Sequence, residues 1–172
     1  ARIVGLLRLP GHHAVLDEEA CITNSAQPTV MFVGDSHALA MYSAIFVGRV
    51  NLPAAVIAGG ACPLYPDLTY VPTHKRPWGN NCTAVARDVV PAISRIPSIT
   101  TVVIVQFARP AANGRRDEVL GEGFFDHGVL IPTLEEELVK GTGGLVASLQ
   151  SRGIRVLYMM DVPQLDHGPK DC

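Results

Sequence analysis

The stretch Thr29–Ile45, TVMFVGDSHALAMYSAI, decides the fold. It opens on an apolar run, Thr29–Val33, passes through Gly34, Asp35, Ser36 and His37, and continues from Ala38 with helical spacing of apolar residues. An apolar run of strand length that meets helical periodicity across a glycine-containing turn reads as strand, sharp turn, helix. A serine in that turn stands at the carboxyl end of a strand and on the first turn of a helix, with an exposed hydroxyl and backbone N–H groups that have no intrahelical partner. Those N–H groups and the helix dipole favour developing negative charge, and Gly34 is expected to leave room for an approaching carbonyl.

Working outward, three more strands are predicted. Ala54–Ala58 is apolar and ends at Gly59–Gly60; Thr101–Phe107 (TVVIVQF) is β-branched and almost wholly apolar; Arg155–Met160 follows a stop at Gly153. Continuous apolar runs of this kind fit parallel strands buried on both faces. Helices are expected over Ala38–Val47, over Ala84–Ile96 with Pro91 as a possible kink, and from a capping box at Thr133 and Glu136 to Gln150, the last in two pieces around Gly141–Gly144. Ala61–Asn81, with four prolines and Trp78, reads as a long irregular stretch, Arg109–Gly123 as a loop, and Ala1–Pro28 as a linker ahead of one domain over 29–172. The alternation of strands and helices implies an open, mostly parallel sheet covered on both faces, a three-layer α/β/α fold of flavodoxin-like topology with its site at the carboxyl ends of the strands.

Composition bounds the function. With 172 residues, 48% of them hydrophobic and 17% charged, the chain suffices for one domain with a sizeable core. A formal net charge of −2 and the absence of a Lys/Arg cluster argue against nucleic acid as a partner. No apolar run reaches the ~20 residues that span a bilayer, and Ala1–Pro10 lacks the pattern of a signal peptide, so an export signal would lie upstream. The four cysteines, Cys21, Cys62, Cys82 and Cys172, have no CxxC spacing; disulfides fit better than zinc, and an oxidising compartment follows. Three pairings are possible, of which Cys62–Cys82, across the proline-rich stretch, and Cys21–Cys172, joining the two ends, are favoured; the plainer alternative is buried free thiols. His12–His13 reads as a solvated pair rather than a metal site.

The residues now quoted carry a resemblance. GDSH at 34–37 resembles the first block of the SGNH (GDSL-like) hydrolases, and VGDSHALAMYSAI with GGACPLYPDL and DVPQLDHGPKDC is similar to the narrower group of SGNH domains attached to acyltransferase-3 membrane proteins. The likeness runs from about Cys21 to Cys172. It implies an SGNH hydrolase fold, Ser36 as nucleophile, the Ser36 N–H and Gly59–Gly60 as oxyanion-hole donors, and no cofactor or metal. It further implies an acyl donor delivered by a membrane acyltransferase domain, a cell-surface polysaccharide or peptidoglycan acceptor, and a location in the periplasm or on the extracellular face of the cytoplasmic membrane.

An unassisted serine hydroxyl is a poor nucleophile and needs a base that is itself oriented. Asp35 and His37 flank Ser36, but neighbouring side chains on a tight turn are expected to diverge. The resemblance places Asp and His in a late D-x-x-H, and no Asp after Ser36 is followed three residues on by His. With four strands where the family has five, the expectation is that the sequence stops before the last strand, helix and D-x-x-H, the base lying beyond Cys172. His167 and His74 are the internal alternatives; Asp126–His127 and Asp166–His167 read as loop pairs. The third block, an Asn after the central strand, is replaced by Phe107-Ala108-Arg109-Pro110, which leaves Asn113 as a candidate donor and Arg109 as a candidate glycan or acyl contact, each with a solvated loop residue as the plainer description. The function expected is O-acyl transfer to a glycan through a serine ester. A carbohydrate O-acetyl esterase, a non-catalytic glycan-binding or docking domain and, less favoured, a flavodoxin-like nucleotide domain are the alternatives.

Overall fold

The computed structural model describes residues 5–6, 19–42, 51–59, 64–71, 82–106, 123–131 and 133–159. Its strands are β1 (Gly5–Leu6), β2 (Glu19–Thr23), β3 (Val30–Gly34), β4 (Ala54–Gly59), β5 (Thr69–Val71), β6 (Thr101–Val105), β7 (Gly123–Asp126), β8 (Val129–Leu130) and β9 (Arg155–Met159). The helices are α1 (Ser36–Tyr42), α2 (Cys82–Ser94) and α3 (Leu134–Gln150). Six strands form one sheet in the order β1-β2-β4-β3-β6-β9. Four of them, β4, β3, β6 and β9, are parallel, as the apolar runs predict.

The register sorts the side chains into two faces. Phe32 lies beside Val56 and Val103, and one step along Val33 lies beside Ile57 and Ile104. Because side chains alternate along a strand, these two rows face opposite ways. The row of Met31, Val33, Ala55, Ile57, Val102 and Ile104 is buried with Val89, Val90 and Ile93 of α2 and with Leu145 and Leu149 of α3. The row of Phe32, Val56, Ala58, Val103 and Val105 is buried with Ala38 of α1. The sheet is thus wound on both sides, and β3 is where the winding reverses: the chain first steps to β4 by way of α1, then to β6 by way of α2 on the other face. In sheets of this kind the crevice at the carboxyl ends of the two strands flanking such a reversal, here β3 and β6, is where ligands bind.

Several expectations are corrected. Glu19–Thr23, inside the stretch read as a linker, pairs antiparallel with β4 and extends the sheet. The stretch read as irregular after Gly60 contains β5, and the polar stretch after Arg109 ends in β7; with β8 they make a separate three-stranded antiparallel sheet, ordered β5-β7-β8. The β7–β8 connection is a two-residue turn in which His127 and Gly128 both have positive φ, 48° and 84°, the geometry that matches the twist of a hairpin. The helix expected in two pieces around Gly141–Gly144 is one continuous α3, capped by Thr133, whose hydroxyl accepts from the Glu136 N–H at 3.1 Å. β9 is not buried on both faces: Val156 and Tyr158 pack on the core, while Leu157 and Met159 are 48% and 40% exposed. Their row continues the α1 face, which no helix covers at β9 among the described residues.

Candidate active site

The parallel register places three chain segments level with one another. Gly34, the last residue of β3, lies beside Ala58 of β4 and Val105 of β6. The next residues out, Asp35, Gly59 and Gln106, therefore share the carboxyl edge of the sheet. The glycine at 34 answers to this close assembly: a Cβ there would overlap the Val105 carbonyl group. Room for a substrate carbonyl, the reason expected from the sequence, is not needed to explain it; the neighbouring strand alone requires glycine.

Ser36 is the first residue of α1, two positions ahead of the predicted start at Ala38. The earlier start has a local cause. Asp35 is buried, 4% exposed, and its Oδ1 accepts from the His37 backbone N–H at 2.8 Å, while its carbonyl accepts from Ala38 N at 3.0 Å. That is the geometry of a helix N-cap, with the carboxylate satisfying a donor of the first turn. The role that a serine fills in the simplest alternative reading of this turn is therefore held by Asp35, one residue earlier.

Asp35 also meets the His37 ring: Oδ1 lies 3.0 Å from Nδ1, and the His37 side chain is 42% exposed. The sequence expectation concerned convergence on the Ser36 hydroxyl; what the structure shows is that the two flanking side chains meet one another across the turn. Gln106 is a further polar group, one for which the sequence suggested no role. It is 1% exposed; its Oε1 accepts from Leu64 N at 3.3 Å and its Nε2 donates to Thr142 Oγ1 at 3.2 Å. It ties the segment after β4 to α3. Its signal in the sequence is a lone polar residue closing the apolar run TVVIV.

Of the other candidate residues, Gly59 ends β4 at the carboxyl edge. Gly60, Arg109, Asn113, His74 and His167 lie outside the described residues. So do Cys62 and Cys172, one partner in each favoured disulfide; Cys21 sits in β2 and Cys82 opens α2. His127 is at the exposed hairpin tip, far along the chain from the serine turn, and Asp126 is engaged by Lys140 at 2.9 Å. Among the described residues no three His, Cys, Asp or Glu side chains group closely enough to hold a metal ion, and no helix is long and apolar enough to cross a membrane. A groove of about 530 Å³ between Thr23–Pro28 and Arg95–Ser98 lies at the amino ends of β3 and β6, the edge opposite Ser36.

A doubly wound parallel sheet with a serine turn at its reversal point makes an α/β domain with its crevice beside Ser36. The chain belongs to the family of SGNH domains fused to AT3 domains, whose family model it matches over residues 8–172. No curated protein and no solved structure matches it. Membership makes this an acyltransferase-associated, hydrolase-like domain, with chemistry of the esterase or acyltransferase type in general.

Proposed function

We propose that this domain carries an acyl group, in the first instance acetyl, as an ester on Ser36 and passes it to a hydroxyl of a cell-surface polysaccharide or peptidoglycan. The acyl donor is delivered by the membrane acyltransferase to which such domains are fused, and the domain works on the outer side of the cytoplasmic membrane. Four cysteines without metal-site spacing agree with that compartment.

One observation carries the reading: Ser36 is the first helical residue off the carboxyl end of β3, at the point where the sheet reverses its winding, while Asp35 does the capping. Ser36 Oγ attacks the acyl carbon as a base takes its hydrogen, and the donor oxygen leaves carrying that hydrogen; the Ser36 N–H, with Gly59 or Gly60, stabilises the oxyanion between them. In the second half the sugar hydroxyl attacks the ester and Ser36 is regenerated. Transfer prevails over hydrolysis when the sugar is positioned and water excluded; the esterase is the same chemistry with water as acceptor.

Mass spectrometry after incubation with a fluorophosphonate probe tests this. Labelling confined to Ser36, abolished in Ser36→Ala, is the expected result. A folded, C-terminally extended chain that stays unlabelled at Ser36 while binding glycan removes the nucleophile and leaves a binding domain.

A further inference from the structure

The edge of the main sheet opposite Ser36 carries charge of one sign. The described residues that form it are 24–29, 51–53, 95–100 and 151–154, which precede β3, β4, β6 and β9, with Arg155 the first residue of β9. The charged residues among them are Arg95, Arg152 and Arg155, and none is Asp or Glu, although the whole chain has a formal net charge of −2. Arg95 is distant in the sequence from the other two, so the fold gathers what the sequence scatters. The backbone stitches the segments side by side: Thr100 N donates to Thr29 O at 3.0 Å, and Arg155 N donates to Thr100 O at 3.0 Å. All three arginines are exposed, and none forms an ion pair among the described residues.

Arg95 is the one charged side chain lining the groove of about 530 Å³ between Thr23–Pro28 and Arg95–Ser98. Hydrogen bonds within and between the walls fix their shape: Thr23 Oγ1 donates to the Ser25 carbonyl at 2.8 Å, Ser25 Oγ accepts from Gln27 N at 3.1 Å, and Ser98 Oγ donates to the Pro28 carbonyl at 2.7 Å. A guanidinium selects an anionic oxygen pair through charge-assisted hydrogen bonds. One guanidinium balances the single charge of a carboxylate better than the nearly double charge of a phosphate monoester. A lone small anion would leave most of this volume unfilled, since grooves of this size hold ligands of many atoms. Pro28, Ile96 and Pro97 supply apolar surface for the C–H faces of sugar rings.

We propose that this groove is a second binding site, for a carboxylate-bearing saccharide chain, with Arg95 pairing the carboxylate and Arg152 and Arg155 extending the attraction along the edge. That the ligand is a saccharide rests on the glycan acceptor proposed above. Because the groove lies opposite Ser36, it holds a part of the polymer remote from the sugar that reacts, and so raises the local concentration of the rest of the chain.

The test uses the full-length protein with trigalacturonate, and maltotriose as its neutral counterpart, read by calorimetry at low ionic strength. Trigalacturonate is expected to bind at least about 10-fold more tightly than maltotriose. Arg95→Gln, and Ala26→Trp, which fills the groove from an exposed position, each weaken trigalacturonate about 10-fold, while Lys140→Gln at the distant hairpin leaves it unchanged. Both groove variants keep a melting temperature within about 2 °C of wild type, because positions 26 and 95 are exposed. No binding by the wild type, equal binding by Arg95→Gln, or equal weakening in Lys140→Gln overturns the site. Binding to phosphatidylglycerol vesicles without binding of trigalacturonate overturns it in favour of a lipid surface. Fluorophosphonate labelling of the same samples keeps the two readings apart. Groove binding with Ser36 unlabelled supports the groove and overturns the nucleophile; labelling at Ser36 without groove binding overturns the groove alone.

Discussion

Tyr65, in the segment after β4, occupies the place where a side chain on Gly141 of α3 would stand: a Cβ there would come within 3.0 Å of three atoms of Tyr65. Tyr65 is 3% exposed and packs with Leu68 and Ile131, so its ring has little freedom to retreat. Further along the same helix the balance reverses, since a Cβ at Gly143 meets nothing within 4 Å. Helix propensity alone favours alanine over glycine by about 1 kcal/mol at both positions. Gly143→Ala is therefore expected to raise the unfolding free energy by up to about 1 kcal/mol, and Gly141→Ala to lower it by about 1–3 kcal/mol through overpacking. Urea denaturation of the two variants checks the pair; equal effects would mean that the Tyr65 contact does not constrain α3.

Gly34 faces a harder obstacle. The atoms that a Cβ would strike are the backbone carbon and oxygen of Val105, on a strand buried along its whole length, where a flexible side chain could have moved aside. Gly34→Ala is expected to cost about 3 kcal/mol or more, at or beyond the upper end of ordinary overpacking, and to displace β3 from β6. The denaturation midpoint reads the cost. A Gly34→Ala chain of wild-type stability but lower activity would instead restore the substrate-clearance reason for this glycine.

Gln106 gives a prediction about coupling. Its amide satisfies Leu64 N and Thr142 Oγ1 in an interior where an unpaired donor or acceptor costs about 1–3 kcal/mol. Gln106→Leu is expected to lose that much. Thr142→Val removes only one end of the network, so about 1 kcal/mol of coupling should appear in the double-mutant cycle. Additive single effects would show that Gln106 and Thr142 are neighbours without an energetic bond.

These contacts mark what could be read from the sequence and what could not. β3 and β6 were legible because nearly every residue of each is apolar or small, and a parallel strand buried on both faces demands that pattern. The start of α3 was legible because a capping box is local, Thr133 to Glu136. The glycines of α3 were misread as a break because their cause is Tyr65, about 76 positions earlier in the chain, together with Asp67 beside Gly144. β5, β7 and β8 have three, four and two residues, too few for any periodicity, and they exist by pairing with one another. β2 was hidden for the same reason, since EACIT becomes a strand only against β4. At the site, the strand–turn–helix setting of Ser36 was legible. The Asp35–His37 contact was not, because the pattern of residues in a turn does not say which side chains two positions apart meet.

The hairpin tip offers a pH test with a definite sign. Lys140 of α3 donates to Asp126 Oδ2 at 2.9 Å, and both groups are partly exposed. The hydrogen bond from Lys140, followed by its charge and that of His127, holds the Asp126 carboxyl below its ordinary 3.8 despite some desolvation. The same bond and the charge of Asp126 lift Lys140 above 10.5. A depressed carboxyl stabilises the fold above its unfolded value and ceases to do so as pH falls through the folded one. A raised amine stabilises below its unfolded value and ceases to do so as pH rises through the folded one. The contact is therefore whole between these limits. The difference in melting temperature between wild type and Lys140→Met should be flat from about pH 5 to pH 9 and shrink toward zero below 3.8 and above 10.5. Because the pair is solvated, the plateau should be no more than about 2 °C and should narrow further in 1 M salt. A difference that persists at pH 2 would show that Lys140 acts through the packing of its aliphatic stem on the hairpin, with its charge making no contribution.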